Sequence, residues 1–326
     1  MNKIGIIGFG KMGQIRCDAI NSSGLGKVVS IYDPSPITTP FHIAESENEI
    51  LNDKTIDSIF ICTPNYLNCN LTKKALSLGK NVFCEKPPAF TSAEVQEIIT
   101  VEKRSGKKLM YGFNHRHHPS IKEMKKIVDS GDFGKVIWMR GRYGKSVDSN
   151  YYNDWRSQKK YSGGGILIDQ GIHMLDLFLY LGGNFDKVHA AVSKLFWKLD
   201  VEDNVFATLE NSKTGLVASL HSTMTQWRHL FSLEVFLEKG YLVINGLKTS
   251  SGTYGDEILT IARNRSSAPA ASWEDEVTKE YKIDTSWNSE IIEFFSAIDE
   301  NRPVKFGNSN DALVLMEIVD KIYEYS

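Results

Sequence analysis

The chain carries no surplus of charge. Its 326 residues include 38 Lys and Arg against 40 Asp and Glu, a formal net charge of −2 at pH 7. Binding along a phosphate backbone needs clustered excess cations, so nucleic acid is not an expected partner. No uninterrupted apolar run approaches the ~18 residues of a membrane-spanning helix, so no membrane partner is expected either. Cysteine is scarce: Cys17, Cys62, Cys69 and Cys84 are the only four. Their spacings fit no zinc template, and no metal site is expected. Cys62 and Cys84 close apolar runs, where a thiol serves as a small buried hydrophobe. A reduced, cytoplasmic protein without disulfides follows as the expectation. The first strand begins by about residue 3, which leaves no room for a signal peptide. No internal repeat is visible.

What is present is an ordinary globular balance, 41% hydrophobic and 24% charged, in a chain long enough for two domains with cores. The first fourteen residues are the most specific. An apolar run (Ile4, Ile6, Ile7) closes on Gly8-Phe9-Gly10-Lys11-Met12-Gly13. A strand that ends in G-x-G-x-x-G and opens into a helix is a dinucleotide-binding turn. Gly8 permits the tight turn, Gly10 leaves room for a pyrophosphate, and Gly13 lets the helix pack on its strand. The diphosphate then meets free N–H groups at the positive end of that helix. A second strand, KVVSIYD, ends in Asp33, twenty residues after Gly13, where a carboxylate accepts hydrogen bonds from the adenosine ribose. A glycine-rich turn without a ligand is the alternative. Asp33 repels a 2′-phosphate and no arginine follows closely, which favours NAD, while Ser35 leaves NADP open.

Strand and helix patterns alternate through the first 118 residues, with strands at 3–8, 27–32, 57–62, 81–84 and 107–112 and helices near 11–21, 66–78, 92–105 and 119–130. Short continuous apolar runs such as DSIFIC suit a parallel sheet covered on both faces. The fold class is α/β, with an N-terminal doubly wound parallel sheet. Ligands bind beyond the carboxyl ends of such strands, which singles out Thr63-Pro64-Asn65, Glu85-Lys86-Pro87-Pro88 and Gly112-Phe113-Asn114. A cis peptide before Pro87 is open. Beyond about 132 come a long strand, a polar aromatic loop at 144–162, an apolar helix near 165–181, and several strand-like runs with short turns. These predict a C-terminal α/β domain with an open, mainly antiparallel sheet. The expected division is 1–118 for dinucleotide binding and 119–326 for substrate binding and oligomerisation. The stretch 251–276 reads as weakly structured polar segments with a surface loop. Two helices close the chain, near 286–299 and 309–325.

Asp169, His173 and Asp176 fall at i, i+4 and i+7 of the apolar helix, within about 60° of arc. A polar stripe on such a helix is either a buried network or a proton relay. As a relay, His173 accepts the hydroxyl proton of an alcohol, Asp169 orients it or contacts substrate, and Lys86 stabilises developing alkoxide charge.

The segments GFGKMG, CTPN, CEKPP, GFNHRHHP, WR and GGGILIDQGIHMLD together resemble the Gfo/Idh/MocA oxidoreductases, over essentially the whole chain. The resemblance implies a Rossmann domain followed by a domain whose open sheet often mediates oligomerisation. It implies Lys86, Asp169 and His173 as the catalytic trio. It places Thr63, Pro64, Asn65, Glu85 and Asn114 along the cofactor, and Trp155 and Arg156 near cofactor or substrate. One departure is Asn68, where the family commonly carries histidine. Arg116 and Pro119 match an R-x-x-P pattern, so His115, His117 and His118 read as a domain-junction segment rather than a zinc site.

Members of that family mostly act on sugars, cyclitols and their derivatives. Tyr151, Tyr152, Trp155 and Tyr161 in the 144–162 loop offer aromatic faces for sugar C–H surfaces. Lys145, Arg156, Lys159 and Lys160 against Asp148 and Asp154 leave the loop at +2, which hints at a sugar acid, sugar phosphate or nucleotide sugar. The candidate substrate contacts are Lys86, Tyr152, Trp155, Arg156, Asp169 and His173, with further polar contacts from Thr225 to His229. The expected activity is NAD(P)-dependent oxidation of a hydroxyl-bearing carbon, in a homo-oligomer. A non-catalytic NAD(P)-binding regulator and an NAD-dependent glycosidase are the alternatives.

Overall fold

The computed structural model describes every residue except Arg265, Ser266 and Ser326. Packing divides the chain into two compact units, one built from Met1–Asn114 with Ser286–Glu317, the other from His115–Thr285 with the residues from Ile318 onward. The sequence suggested one boundary near 118. The first unit instead takes in a late stretch of chain, for a reason visible in its core.

That unit holds strands β1 (Asn2–Ile7), β2 (Gly26–Tyr32), β3 (His42–Ile43), β4 (Ser58–Ile61), β5 (Asn81–Cys84) and β6 (Leu109–Tyr111), with helices α1 (Lys11–Ser23), α2 (Glu47–Asn52), α3 (Asn65–Ser77) and α4 (Ser92–Ser105). The strands form one parallel sheet in the order β3-β2-β1-β4-β5-β6. This is the doubly wound order that places ligands at the strand carboxyl ends. The two-residue β3 and the six-residue α2 escaped the sequence patterns because neither is long enough to show a period. Phe60 and Phe83 are register partners on β4 and β5 and stack at 4.9 Å. Phe294, on the helix Ser286–Asp299, meets both edge-on at 5.5 and 5.7 Å. Ile291, Phe294 and Phe295 share one core with Ile4, Ile6, Ile31 and Met110, which binds that late helix to the first unit.

The same helix supplies a charge. Arg16 of α1 is fully buried, its Nε 2.6 Å from Glu85 Oε1 and its Nη1 2.6 Å from Glu290 Oε2. Phe83 and Trp287 lie against the guanidinium at 4.3 and 4.7 Å. Burial opposes its charge, but the two carboxylates outweigh burial and raise its pKa further.

The second unit holds α5 (Pro119–Ser130), β7 (Val136–Ser146), α6 (Lys159–Ser162), α7 (Ile172–Gly182) and strands β8 (Lys187–Ser193), β9 (Asn204–Glu210), β10 (Val217–Thr223), β11 (Thr225–Leu237), β12 (Gly240–Asn245), β13 (Glu257–Arg263) and β14 (Val277–Tyr281). The sheet runs β14-β13-β12-β11-β7-β10-β9-β8, antiparallel apart from the parallel pair β7 and β10. Along β7 the face under α7 carries Met139 and Tyr143, while Arg140 and Arg142 face away. The stretch 251–276 needs correcting: EILTIAR forms β13 and pairs on both sides. Its short alternation lay hidden among polar residues, of which Arg265 and Ser266 fall outside the described residues. All four cysteines are free. Among the described residues no helix is long and apolar enough to cross a membrane.

Replacing Arg16 with methionine leaves two buried carboxylates facing each other without a counter-charge. Loss of one partner of a buried ion pair typically destabilises by about 3–5 kcal/mol. Arg16→Met should therefore lower the unfolding free energy read from urea titration by an amount of that size, and adding Glu290→Gln should recover part of it.

Candidate active site

In the first unit the glycine turn has the geometry its sequence suggested. Gly8 sits at φ +89° and donates its N–H to Tyr32 O at 2.8 Å. A Cβ there would fall 2.5 Å from Cys62 O. A Cβ at Gly13 would collide with the Gly8 carbonyl, whereas one at Gly10 would meet nothing within 4 Å. Gly10 is also the N-cap of α1 and supplies no side chain to it, so the first N–H groups of the helix look out past an open space. Lys11 and Met12 form the first turn beyond it. Asp33 is held ready at the end of β2: Oδ2 accepts the Phe9 N–H at 2.6 Å and Oδ1 accepts the Ser35 N–H at 2.9 Å. The turn fits a dinucleotide, with a diphosphate over Gly10 and a ribose at Asp33.

The next two strand ends are tied together by a residue first noticed as a departure. Asn68 is completely buried in α3. Its Oδ1 accepts the Thr63 hydroxyl at 3.1 Å, and its Nδ2 donates to Glu85 O at 3.2 Å and Pro87 O at 2.8 Å. Asn68 thus locks the loop after β4, with Pro64 capping α3 and Asn65 opening it, to the loop carrying Glu85 and Lys86. Arg16 fixes the Glu85 side chain from the other side. The Lys86–Pro87 peptide is cis, and Lys86 itself is half-buried. Asn114, past β6, donates from Nδ2 to Ser286 Oγ at 3.3 Å.

In the second unit the helix expected near 165–181 begins with one π-helical turn, Leu167–Gly171, before α7. Such turns recur at functional sites, and the extra residue rotates Asp169 relative to the face of α7. The start of this segment is capped by Glu202, whose carboxylate accepts the N–H groups of Gly165 at 2.8 Å and Leu167 at 3.0 Å and the Tyr323 hydroxyl at 2.9 Å. Burial pushes the Glu202 carboxyl up from its ordinary value against those hydrogen bonds. Gly165 packs directly on the Glu202 backbone, a contact that excludes any side chain there.

The three polar residues of the segment face different partners. Asp176 is fully buried and accepts two hydrogen bonds from Arg116, at 2.8 and 2.6 Å, as a structural pair. Asp169 holds Lys145 Nζ at 3.0 Å on Oδ2, with Arg156 Nε 3.7 Å from Oδ1. His173 is 5% exposed and stacks face to face on His115 at 3.9 Å and 20°. The structure therefore gathers Lys145, Arg156 and Asp169, with Tyr151 under Lys145 at 5.2 Å. Burial and then the Asp169 charge push the Tyr151 hydroxyl up. Arg156 also pairs with Asp154 at 3.3 Å and covers Trp155 at 4.4 Å. Tyr152 is half-exposed and donates to Trp197 O at 2.7 Å. Trp227 is wholly exposed, and His229 lies edge-on to Tyr254 at 4.8 Å. Within the His115 segment, His115 turns to Tyr143 and His173 while His118 pairs with Glu257. Among the described residues no group of three or more His, Cys, Asp or Glu could hold a metal ion. Sequence reasoning missed Arg16, Glu202 and the His115 contact. Arg16 lies three residues past Gly13 and Glu202 lies far from any motif, and only burial marks either charge.

Residues 2–113 match the family model described as an oxidoreductase family with an NAD-binding Rossmann fold, and residues 121–243 match the GFO/IDH/MocA C-terminal domain. An uncharacterized oxidoreductase of Bacillus subtilis, YrbE, is 27% identical over 72% of this chain and 71% of its own length. The levoglucosan dehydrogenase of Pseudarthrobacter phenanthrenivorans is 35% identical over 44% of this chain and 37% of its own. The D-glucoside 3-dehydrogenase of Escherichia coli is 30% identical over 49% of this chain and half of its own. A solved levoglucosan dehydrogenase, complexed with NADH and levoglucosan, shares the fold, with a TM-score of 0.87 over 99% of this chain and 96% of that one at 24% identity.

Gly10→Ala puts a methyl group into the open space without touching the protein. The thermal midpoint should stay within experimental error, while NADH affinity, read by fluorescence titration, should fall by about tenfold or more, equivalent to about 1.4 kcal/mol. Unchanged affinity would show that no diphosphate sits at this turn.

Proposed function

We propose, because the chain belongs to the Gfo/Idh/MocA family of NAD-binding oxidoreductases, that it is a dehydrogenase moving a hydride between nicotinamide and a hydroxyl-bearing carbon of an uncharged sugar or cyclitol. The observation that carries this reading is the uncapped start of α1 beside the open space at Gly10, with Asp33 held at the ribose position. Bound NAD supplies the hydride acceptor. His173 takes the hydroxyl proton as the hydride leaves, so charge and atoms balance. Lys86 donates a hydrogen bond to the reacting oxygen and stabilises its developing negative charge. Asp169, its own charge offset by Lys145, accepts hydrogen bonds from neighbouring substrate hydroxyls. Glu85, Thr63, Pro64, Asn65 and Asn114 line the cofactor.

The local charge supports an uncharged substrate. Lys145 and Arg156 are matched by Asp154 and Asp169, so the cations beside Asp169 are already neutralised. Lys159 and Lys160 are exposed, and these alone keep an anionic sugar in play. Three relatives are named for levoglucosan, D-glucosides and inositol, all uncharged polyols.

Lys86→Ala and His173→Ala should each lower turnover by about 10²–10⁴-fold, the usual worth of a positioned acid or base, with NADH binding nearly unchanged. Absorbance at 340 nm, followed over paired neutral and phosphorylated sugars, should favour the neutral member of each pair. Wild-type rates in either variant would overturn the assignment. Tight NADH binding without any turnover would point to a regulator, and aglycone release without net NADH to a glycosidase.

The exposed face of the second unit's sheet supports a homo-oligomer. Trp138 stacks on Phe236 at 3.9 Å and Phe236 on Tyr241 at 5.2 Å, while Phe206, 51% exposed, stacks on His221 at 3.9 Å. Such aromatic area fits a second copy of the chain. Sedimentation should give the mass of two or four chains, and Trp138→Glu should lower it; a monomer at micromolar concentration would refute the point. The four free thiols favour a reducing compartment, the cytoplasm.

A further inference from the structure

Three histidines within four residues, His115, His117 and His118, remain without a part in the reaction. Their destinations differ. His118 binds Glu257 through Nδ1 at 2.8 Å, and both side chains are fully buried. His115 turns to the helix that carries the reaction's base.

We propose that His115 is a positioning residue that fixes the ring plane of His173 by stacking; the proposal rests on His173 being the base. The two imidazoles lie 3.9 Å apart and within 20° of parallel, and each residue is 5% exposed. His115 is itself immobilised. Its Nε2 shares a hydrogen bond with the Tyr143 hydroxyl at 2.9 Å. Tyr143 is buried and lies edge-on to Tyr254 at 5.4 Å. Phe231 packs against both rings, 5.9 Å from His115 and edge-on to Tyr143 at 5.4 Å.

The need for such a partner follows from the side chain. Rotation about the last torsion of histidine is broad, because it joins sp³ to sp² carbon. The staggered first torsion sets where the ring lies but not which way its nitrogens point. A base must aim one nitrogen at the departing proton, and a misplacement of about 1 Å can lower the rate about 100-fold. A flat, fixed ring at van der Waals distance removes that freedom along one whole face of His173 and leaves its edge to the substrate. Tyr143 and Phe231 lie on adjacent pairing strands, β7 and β11. The plane is thereby referred to the sheet rather than to a loop.

The test compares two apolar replacements of similar bulk, one flat and one not. His115→Phe should keep kcat within about threefold, whereas His115→Leu should lower it by about 10- to 100-fold. Both should leave the KM for substrate and NAD nearly unchanged and lower the thermal midpoint to a similar extent, since each loses the hydrogen bond to Tyr143. In a His173→Ala background His115→Leu should cause no further loss. Equal rates for the two variants, or an equal loss in the His173→Ala background, would overturn the positioning role. Full activity of His173→Ala itself would overturn the parent reading instead. Independently of any variant's folding, ring current from His115 should shift the His173 imidazole proton resonances upfield in the unaltered protein, assigned by their disappearance in His173→Ala; unshifted resonances would refute the stack.

Discussion

The buried guanidinium of Arg16 holds the loop after β5 to the core of the first unit. One cation in α1 faces two carboxylates, one on the loop that leads into Lys86 and one on the helix Ser286–Asp299. A cation taken out of water is tolerable only with full compensation. That requirement forces three distant stretches of chain to one place. Glu85 cannot drift without leaving Arg16 underpaired, and its backbone carbonyl is also held by Asn68. The lysine that follows therefore departs from a fixed backbone. The aromatic core of Phe60, Phe83 and Phe294 lies alongside, so the ion cluster and the apolar packing reinforce the same docking of that helix.

The second unit applies the same physics with opposite sign. Here the buried charges that organise the site are carboxylates. Glu202 satisfies the N–H groups at the start of the π turn, and Asp176 is neutralised by Arg116. These two are structural, whereas Asp169 and His173 meet other partners. Asp169 is only partly enclosed and carries Lys145, which makes it an acceptor whose charge is already balanced. His173 is enclosed by an aromatic partner. A stripe that looks uniform in sequence thus separates into one residue in a buried ion pair, one beside a lysine and one stacked on a second imidazole, according to what each side chain meets.

Much of this was legible beforehand, and the reasons are local. The turn at Gly8–Gly13 depends on backbone conformation and on the absence of Cβ atoms, properties that a residue's own identity carries. The same holds for Asp33, whose place follows from strand length, and for the alternation that marks β7 through β12. EILTIAR was misread because seven residues within a polar stretch give too short a period to stand out. Asn68 looked like a loss from the family pattern, yet its amide makes three hydrogen bonds that bind two loops.

The sequence by itself determined the longer elements and the dinucleotide turn, because each rests on contacts within a short span of chain. Tertiary structure alone decided which charges cancel. Arg16 found Glu290 across 274 residues, and Lys145 of the aromatic loop found Asp169. Charge pairing depends on distance in space and on exclusion of water, and neither is written in the order of residues along the chain.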